Sequence, residues 1–201
     1  MRGFFRPGPA FAPPGQEISE PGGFVAEQSV ILNAQTVHRV LTRIAHEIVE
    51  RNERSDAVAL VGIQKGGVVL AERLGNILQN IWGHPVPVGK LDVGTHRDDL
   101  HEHAAPLILP TVMPFDINGR TVVLVDDVLY SGRTTRAALD ALNDFGRPRR
   151  VQLAVLVDRG HRELPIKPDF VGKNVETKAN ERIDVRLKES HGEDVVYLDQ
   201  L

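Results

Sequence analysis

The chain has 201 residues, 41% hydrophobic and 25% charged, with a formal net charge of -3. That composition fits one soluble globular domain with a sizeable core. It contains no cysteine, which excludes disulfides, Cys-ligated zinc and a thiol nucleophile, and no apolar run approaches the ~20 residues that span a bilayer.

The start, MRGFFRPGPAFAPPGQEISEPGGF, is rich in Pro and Gly and lacks the continuous apolar stretch of a secretory signal. Residues 1–28 are expected to be a disordered tail, 29–201 one domain, and the protein cytoplasmic. Val30, Ile31 and Leu32 suggest a short strand. Asn33 is placed to cap a helix from Ala34 to about Asn52. Val37, Val40, Leu41, Ile44 and Ile48 recur there at helical spacing, and Arg39, Thr42, Arg43 and His46 fall on another face.

AVALVGI (57–63) is continuously apolar, as in a strand covered on both sides. QKGG (64–67) and an apolar helix follow. VPVGKLDV (86–93) reads as a second strand, and the His-, Pro- and charge-bearing stretch after it as a long loop or hairpin. RTVVLVDDV (120–128) is a third strand, followed by a helix over TTRAALDALNDF that GRP ends. RVQLAVLVDRG (150–160) is a fourth strand, HRELPIKPDFVGKNV (161–175) a loop, and IDVRLKE and DVVYLDQL short closing strands. Alternating strands and helices predict an α/β fold, a parallel twisted sheet flanked by helices.

The chemistry concentrates in VVLVDDVLYSGRTT (122–135). Ligands of open α/β sheets bind beyond the carboxyl ends of strands, where Asp126 and Asp127 fall. The loop that follows offers backbone N–H groups, the hydroxyls of Ser131, Thr134 and Thr135, and a helix N-terminus, all suited to a phosphate. Gly132 permits close approach or positive φ. Two carboxylates beside a phosphate cradle must face something other than the anion, either hydroxyl donors or a metal ion. A ribose 5-phosphate fits: phosphate in the loop, 2- and 3-hydroxyls on the carboxylates. An Asp pair after a strand also suits a Walker B element or a phospho-acceptor site, but no G-x-x-x-x-G-K-[ST] occurs.

VVLVDDVLYSGRTTRAALDAL resembles the phosphoribosyl-pyrophosphate (PRPP) signature of type I phosphoribosyltransferases. VLTRIAHEIVERN, HRDDL (96–100) and GRPRRVQLAVLVDRGHRELPIKPDFVGKNV narrow the resemblance to the bifunctional pyrimidine operon regulators (PyrR), over roughly residues 29–201. The resemblance implies a type I fold with a flexible loop/hood hairpin. It implies the reaction of uracil with PRPP to give UMP and pyrophosphate, with Mg²⁺ accompanying the pyrophosphate. It also implies attenuation of pyrimidine genes through uridine-nucleotide-dependent binding of leader mRNA, by a homodimer or higher oligomer.

Carried onto this chain, the catalytic positions are Asp126, Asp127 and Arg97. PRPP or nucleotide binding falls on Lys65, Gly66, Gly67, Asp126, Asp127, Val128, Leu129, Tyr130, Ser131, Gly132, Arg133 and Thr134, and the base on Asp158 and Arg159. The metal ligands stay unassigned. The family commonly has Thr-Arg-Gly where Lys65, Gly66 and Gly67 stand, and Lys cannot copy the bidentate fork of Arg. His96 replaces a common Tyr; with His101 it also reads as a solvated loop histidine. Arg159 also admits, as the lesser reading, a structural ion pair with Asp158 or another carboxylate.

Between residues 147 and 173, seven Arg or Lys stand against three Asp or Glu, a basic patch on an acidic chain. By the resemblance, RNA contacts fall on Thr42, Arg43, His46, His161, Arg162, Lys167 and Lys173; by composition alone these form a solvated helix face and a basic loop. A regulator with little turnover and a salvage phosphoribosyltransferase without RNA binding remain as alternatives.

Overall fold

The computed structural model describes residues 28–94 and 109–201. In chain order the elements are β1 (Gln28–Asn33), α1 (Ala34–Arg51), β2 (Val58–Ile63), α2 (Gly66–Trp82), β3 (Val88–Leu91), β4 (Thr121–Leu129), α3 (Arg133–Leu142), β5 (Arg150–Asp158), β6 (Phe170–Asn174), β7 (Glu181–Arg186), α4 (Lys188–His191) and β8 (Val195–Gln200). The tail expected over 1–28 lies, apart from Gln28, outside the described residues.

Five strands form the predicted parallel sheet, in the order β3-β2-β4-β5-β6. The chain steps outward from β2 to β3, then returns to lay β4 on the other side of β2. Strand order reverses there, and a crevice opens beyond the carboxyl ends of β2 and β4. Gly62 pairs in register with Val125, which sets the 64–67 turn beside Asp126 and Asp127.

Both sheet faces are covered, which explains the continuous apolar strands. One core joins β2 and β4 to α1 and α2 through Leu41, Ile44, Leu70 and Leu74. The other packs Ala137, Ala138 and Leu142 of α3 with Ile117 against the opposite face. As predicted, α1 begins at a capped Asn33, whose Oδ1 accepts from Thr36 N at 3.0 Å; α2 ends at Gly83, with φ 76°.

The expected loop over 161–175 is corrected in part: residues 170–174 form β6, a parallel edge strand on β5. Its signal was hidden because only Phe170 is buried, so no apolar run or alternation marks it. Gly172 is required there by contact, since a Cβ would lie 2.3 Å from Leu156 O and 2.6 Å from Val40 Cγ1. The expected strand over 86–93 is shorter, spanning 88–91.

The remaining strands form a separate antiparallel sheet, β1-β8-β7, which makes a hood of three strands. It joins the first core through Leu32, Ile183, Leu187 and Val196. Arg73 of α2 clasps it from outside, pairing with Glu189 Oε2 and Asp194 Oδ1, both at 2.6 Å.

Candidate active site and basic face

Asp126 and Asp127 sit at the carboxyl end of β4, with Asp126 buried and Asp127 half-buried. Asp127 N donates to Asp126 Oδ1 at 2.9 Å, and Val128 N to Asp127 Oδ1 at 2.8 Å. These bonds fix both carboxylates against their own strand. Burial pushes the Asp127 carboxyl above its ordinary value, and the charge of Asp184 on β7 adds to this; the Asp126 side chain and nearby backbone amides oppose it.

The QKGG turn presses on this pair. A Cβ on Gly66 would lie 2.1 Å from Asp127 Oδ2, and one on Gly67 2.2 Å from Val125 O. Only glycine lets the start of α2 come this close. The Gln64–Lys65 peptide is cis, a feature with no sequence signal, and Lys65 is exposed beside the turn.

A cleft of about 240 Å³ opens beside Asp126 and the 128–135 loop, with Glu163 on its rim. Gly132, at φ 92°, makes the turn into α3. Thr135 Oγ1 is the buried side-chain oxygen without a hydrogen-bond partner among the described residues. An unpartnered hydroxyl and a helix N-terminus in one cleft suit an incoming phosphate. Arg133 is held to Glu163, at 2.8 Å from Nε and 2.7 Å from Nη2.

The candidate base residues stand on the neighbouring strand, where Asp158 pairs in register with Leu129. Arg159 does not pair with Asp158. It stacks 4.3 Å over the Tyr130 ring and bonds Thr177 Oγ1 at 3.2 Å and Glu181 O at 2.8 Å. Asp158 is taken by Arg162 at 2.5 Å. A shallow cavity of about 270 Å³ lies among Asp158, Arg159 and Arg162. Arg97, with His96 and His101, lies outside the described residues.

The fold brings the basic stretches together. Arg43 of α1 donates to Val171 O at 2.9 Å and Gly172 O at 2.7 Å on β6, and pairs with Glu47 at 2.5 Å. Lys173 Nζ reaches Ile31 O at 3.4 Å. Thr42 Oγ1 donates to His38 O at 3.0 Å, and His161 Nε2 contacts Thr177 O at 2.6 Å. His46 and Lys167 are exposed. Sequence showed these charges but not their ties: Arg43 braces α1 on β6, and Arg162 is bonded inward.

A cavity of about 310 Å³ near Arg51, Arg149 and Arg150 lies at the amino end of the sheet. Its rim carries Glu50 and Glu53, and ligands of parallel sheets bind at the other end. No group of three or more potential metal ligands occurs among the described residues. No helix among them is long and apolar enough to cross a membrane.

A switch-point cleft with paired carboxylates, a glycine turn and a glycine- and hydroxyl-bearing loop at a helix N-terminus is the arrangement expected of a phosphoribosyltransferase. The profile of the phosphoribosyl transferase domain matches residues 27–190. The fold agrees with that of the hypoxanthine phosphoribosyltransferase of Trypanosoma cruzi, with a TM-score of 0.65, 19% identity, and coverage of 88% of this chain and 98% of that one. Within the class, the chain is 61% identical over 163 residues to the bifunctional protein PyrR of Roseiflexus sp., covering 81% of this chain and 89% of that protein. It is 56% identical over 169 residues to that of Thermus aquaticus, covering 84% and 93%. The chain belongs to the PyrR family, bifunctional pyrimidine regulators with uracil phosphoribosyltransferase activity.

Proposed function

We propose that PRPP lies in the switch-point cleft with its 5-phosphate in the 131–135 loop and its ribose hydroxyls on Asp126 and Asp127. Its pyrophosphate lies toward Lys65, Gly66 and Gly67, with Arg97 contributing from the 96–100 stretch. Uracil lies beside Asp158 and Arg159. In the reaction the bond from C1 to the pyrophosphate oxygen breaks, N1 of uracil bonds C1, and the N1 proton is released. C1 gains positive character as pyrophosphate leaves, so nearby carboxylates and fixed dipoles stabilise the charge, and positioning supplies the rest.

Mg²⁺ fits a site with few carboxylates, since it commonly reaches phosphates through one or two protein oxygens and water; Asp126 and Asp127 are the candidates to hold it, and its chemistry is neutralisation of the pyrophosphate. The contact of Gly66 with Asp127 carries this reading, because it ties the two ends of the substrate site together. Lys65 in place of an arginine fork favours modest turnover.

UMP or UTP in the same cleft is proposed to govern binding of pyrimidine leader mRNA by the basic face, in a cytoplasmic homodimer or higher oligomer. Lys167 and Lys173 supply its exposed positive charge, with His46 also exposed, and the phosphate contacts would weaken with salt. The test pairs UMP formation from uracil, PRPP and Mg²⁺ with leader-RNA binding, with and without UMP. Turnover with UMP-stimulated RNA binding supports the reading; RNA binding without turnover leaves a regulator alone, and turnover without specific RNA binding a salvage enzyme. Lys167→Ala with Lys173→Ala should weaken RNA binding more than turnover.

A further inference from the structure

Arg162 lies in the basic stretch, yet its guanidinium is spent inside the fold. Nη1 donates to Tyr130 O at 2.7 Å and Gly160 O at 3.1 Å, Nε donates to Ile166 O at 3.1 Å, and Nη2 pairs with Asp158 Oδ2 at 2.5 Å. Its side chain is 22% exposed. One residue therefore joins the nucleotide loop, the end of β5 and the segment 160–166. The amides of Glu163 and Leu164 reinforce the joint by donating to Ser131 O at 3.0 and 3.2 Å. Gly132 packs on the same segment, with its Cβ position 3.3 Å from Ile166 Cδ1.

A trans peptide is planar, with its C=O and N–H opposed. Holding Tyr130 O and Ser131 O toward residues 160–166 therefore turns the N–H groups of Ser131 and Gly132 away from those partners, and both residues line the cleft. The carbonyl side of each peptide is fixed by the basic segment, which leaves the amide side for a ligand. A phosphate that orders the amides must also order the carbonyls and what holds them.

We propose that Arg162 is a positioning residue that couples the nucleotide loop to segment 161–167, and that it is not itself an RNA phosphate contact. This rests on the reading of the cleft as a UMP site. Nucleotide on one side of the loop peptides and RNA on the other then share one equilibrium, and each ligand raises the affinity of the other by the same factor.

The test is Arg162→Lys, which keeps the charge but cannot span carbonyls and carboxylate at once. UMP affinity, measured without RNA by calorimetry, should fall about tenfold, and the ratio of RNA affinities with and without UMP should collapse toward one. Lys167→Ala should lower RNA affinity by the same factor with and without UMP. If Arg162→Lys loses RNA affinity while UMP affinity and the ratio hold, Arg162 is a direct RNA contact and the proposal fails.

In the wild-type protein, UMP should slow amide exchange across 160–166 as well as 129–135; slowing confined to 129–135 also overturns the proposal. This measurement does not depend on the folding of a variant. A wild-type protein that binds UMP but no leader RNA defeats the regulatory reading, and the UMP affinity of Arg162→Lys still decides the role of Arg162.

Discussion

Gly66 carries the sharpest steric constraint in the cleft. Gly66→Ala must push Asp127 aside, because the new Cβ would fall 2.1 Å from Oδ2. A displacement of that kind in a substrate-positioning carboxylate is expected to cost about 10²-fold in kcat/KM, checked by steady-state UMP formation with folding confirmed by thermal melting. Asp127→Asn separates function from stability. Asp127 titrates above 3.8 in the folded chain because it is buried, so the native state holds its proton more tightly than the unfolded state. Its effect on stability is then most favourable at low pH and declines as pH rises from about 3.8 through the raised folded value. Asp127→Asn should raise the melting temperature at about pH 7 relative to the wild type, converge with it near pH 4, and weaken PRPP binding throughout. An unchanged PRPP dependence would remove Asp127 from the ribose site. At this scale the sequence announced the aspartates and the glycine- and hydroxyl-bearing loop after them through residue type and spacing. It could not announce the inward bonds of Arg43 and Arg162, because charge says nothing about which carbonyls the fold will bring within reach.

Elements depend on one another through few joints, and the Arg73 clasp between α2 and the hood is the most exposed to test. Hydrogen bonding from Arg73 holds Glu189 below 4.5, and the same guanidinium, acting against burial, holds Asp194 below 3.8. Both carboxylates therefore contribute stability that is present above their unfolded values and lost as pH falls through the depressed ones. Arg73→Met should cost about 1–2 kcal/mol at neutral pH, since Asp194 is left partly buried without its partner. The deficit should shrink below about pH 3.8, as followed by urea unfolding across pH. A constant deficit would mean that packing, not charge, joins α2 to the hood. Most elements were legible: strands buried on both faces read as apolar runs, and α1 announced its cap and stripe. β6 was not, because an edge strand with one buried residue, flanked by Pro168 and carrying Gly172, has no periodic signature.

Over the whole molecule, charge is unevenly spread: the chain is net -3, yet residues 147–173 hold seven basic side chains against three acidic. RNA affinity should accordingly fall with added salt, and each phosphate-contacting lysine removed should lower the log–log slope by about 0.7. Binding measured from low to high salt for the wild type and Lys167→Ala checks this; an unaltered slope would place Lys167 off the RNA. The strand order was only partly legible at this scale. Alternation implied a parallel sheet, but nothing local marks β1 and β8 as partners, because their pairing joins Gln28 to Asp199.

That pairing has a consequence for biosynthesis. All five strands of the parallel sheet have been translated once residue 174 is complete, whereas β1, among the first elements made, finds its partner only when residues 195–200 emerge. A chain still on the ribosome can assemble the sheet before the hood, since contacts near in sequence form ahead of distant ones. Until then β1 presents an unpaired edge bearing Val30, 60% exposed even in the finished fold. Nascent chains stalled short of β8 are therefore the species in which chaperone capture and strand-edge aggregation should concentrate.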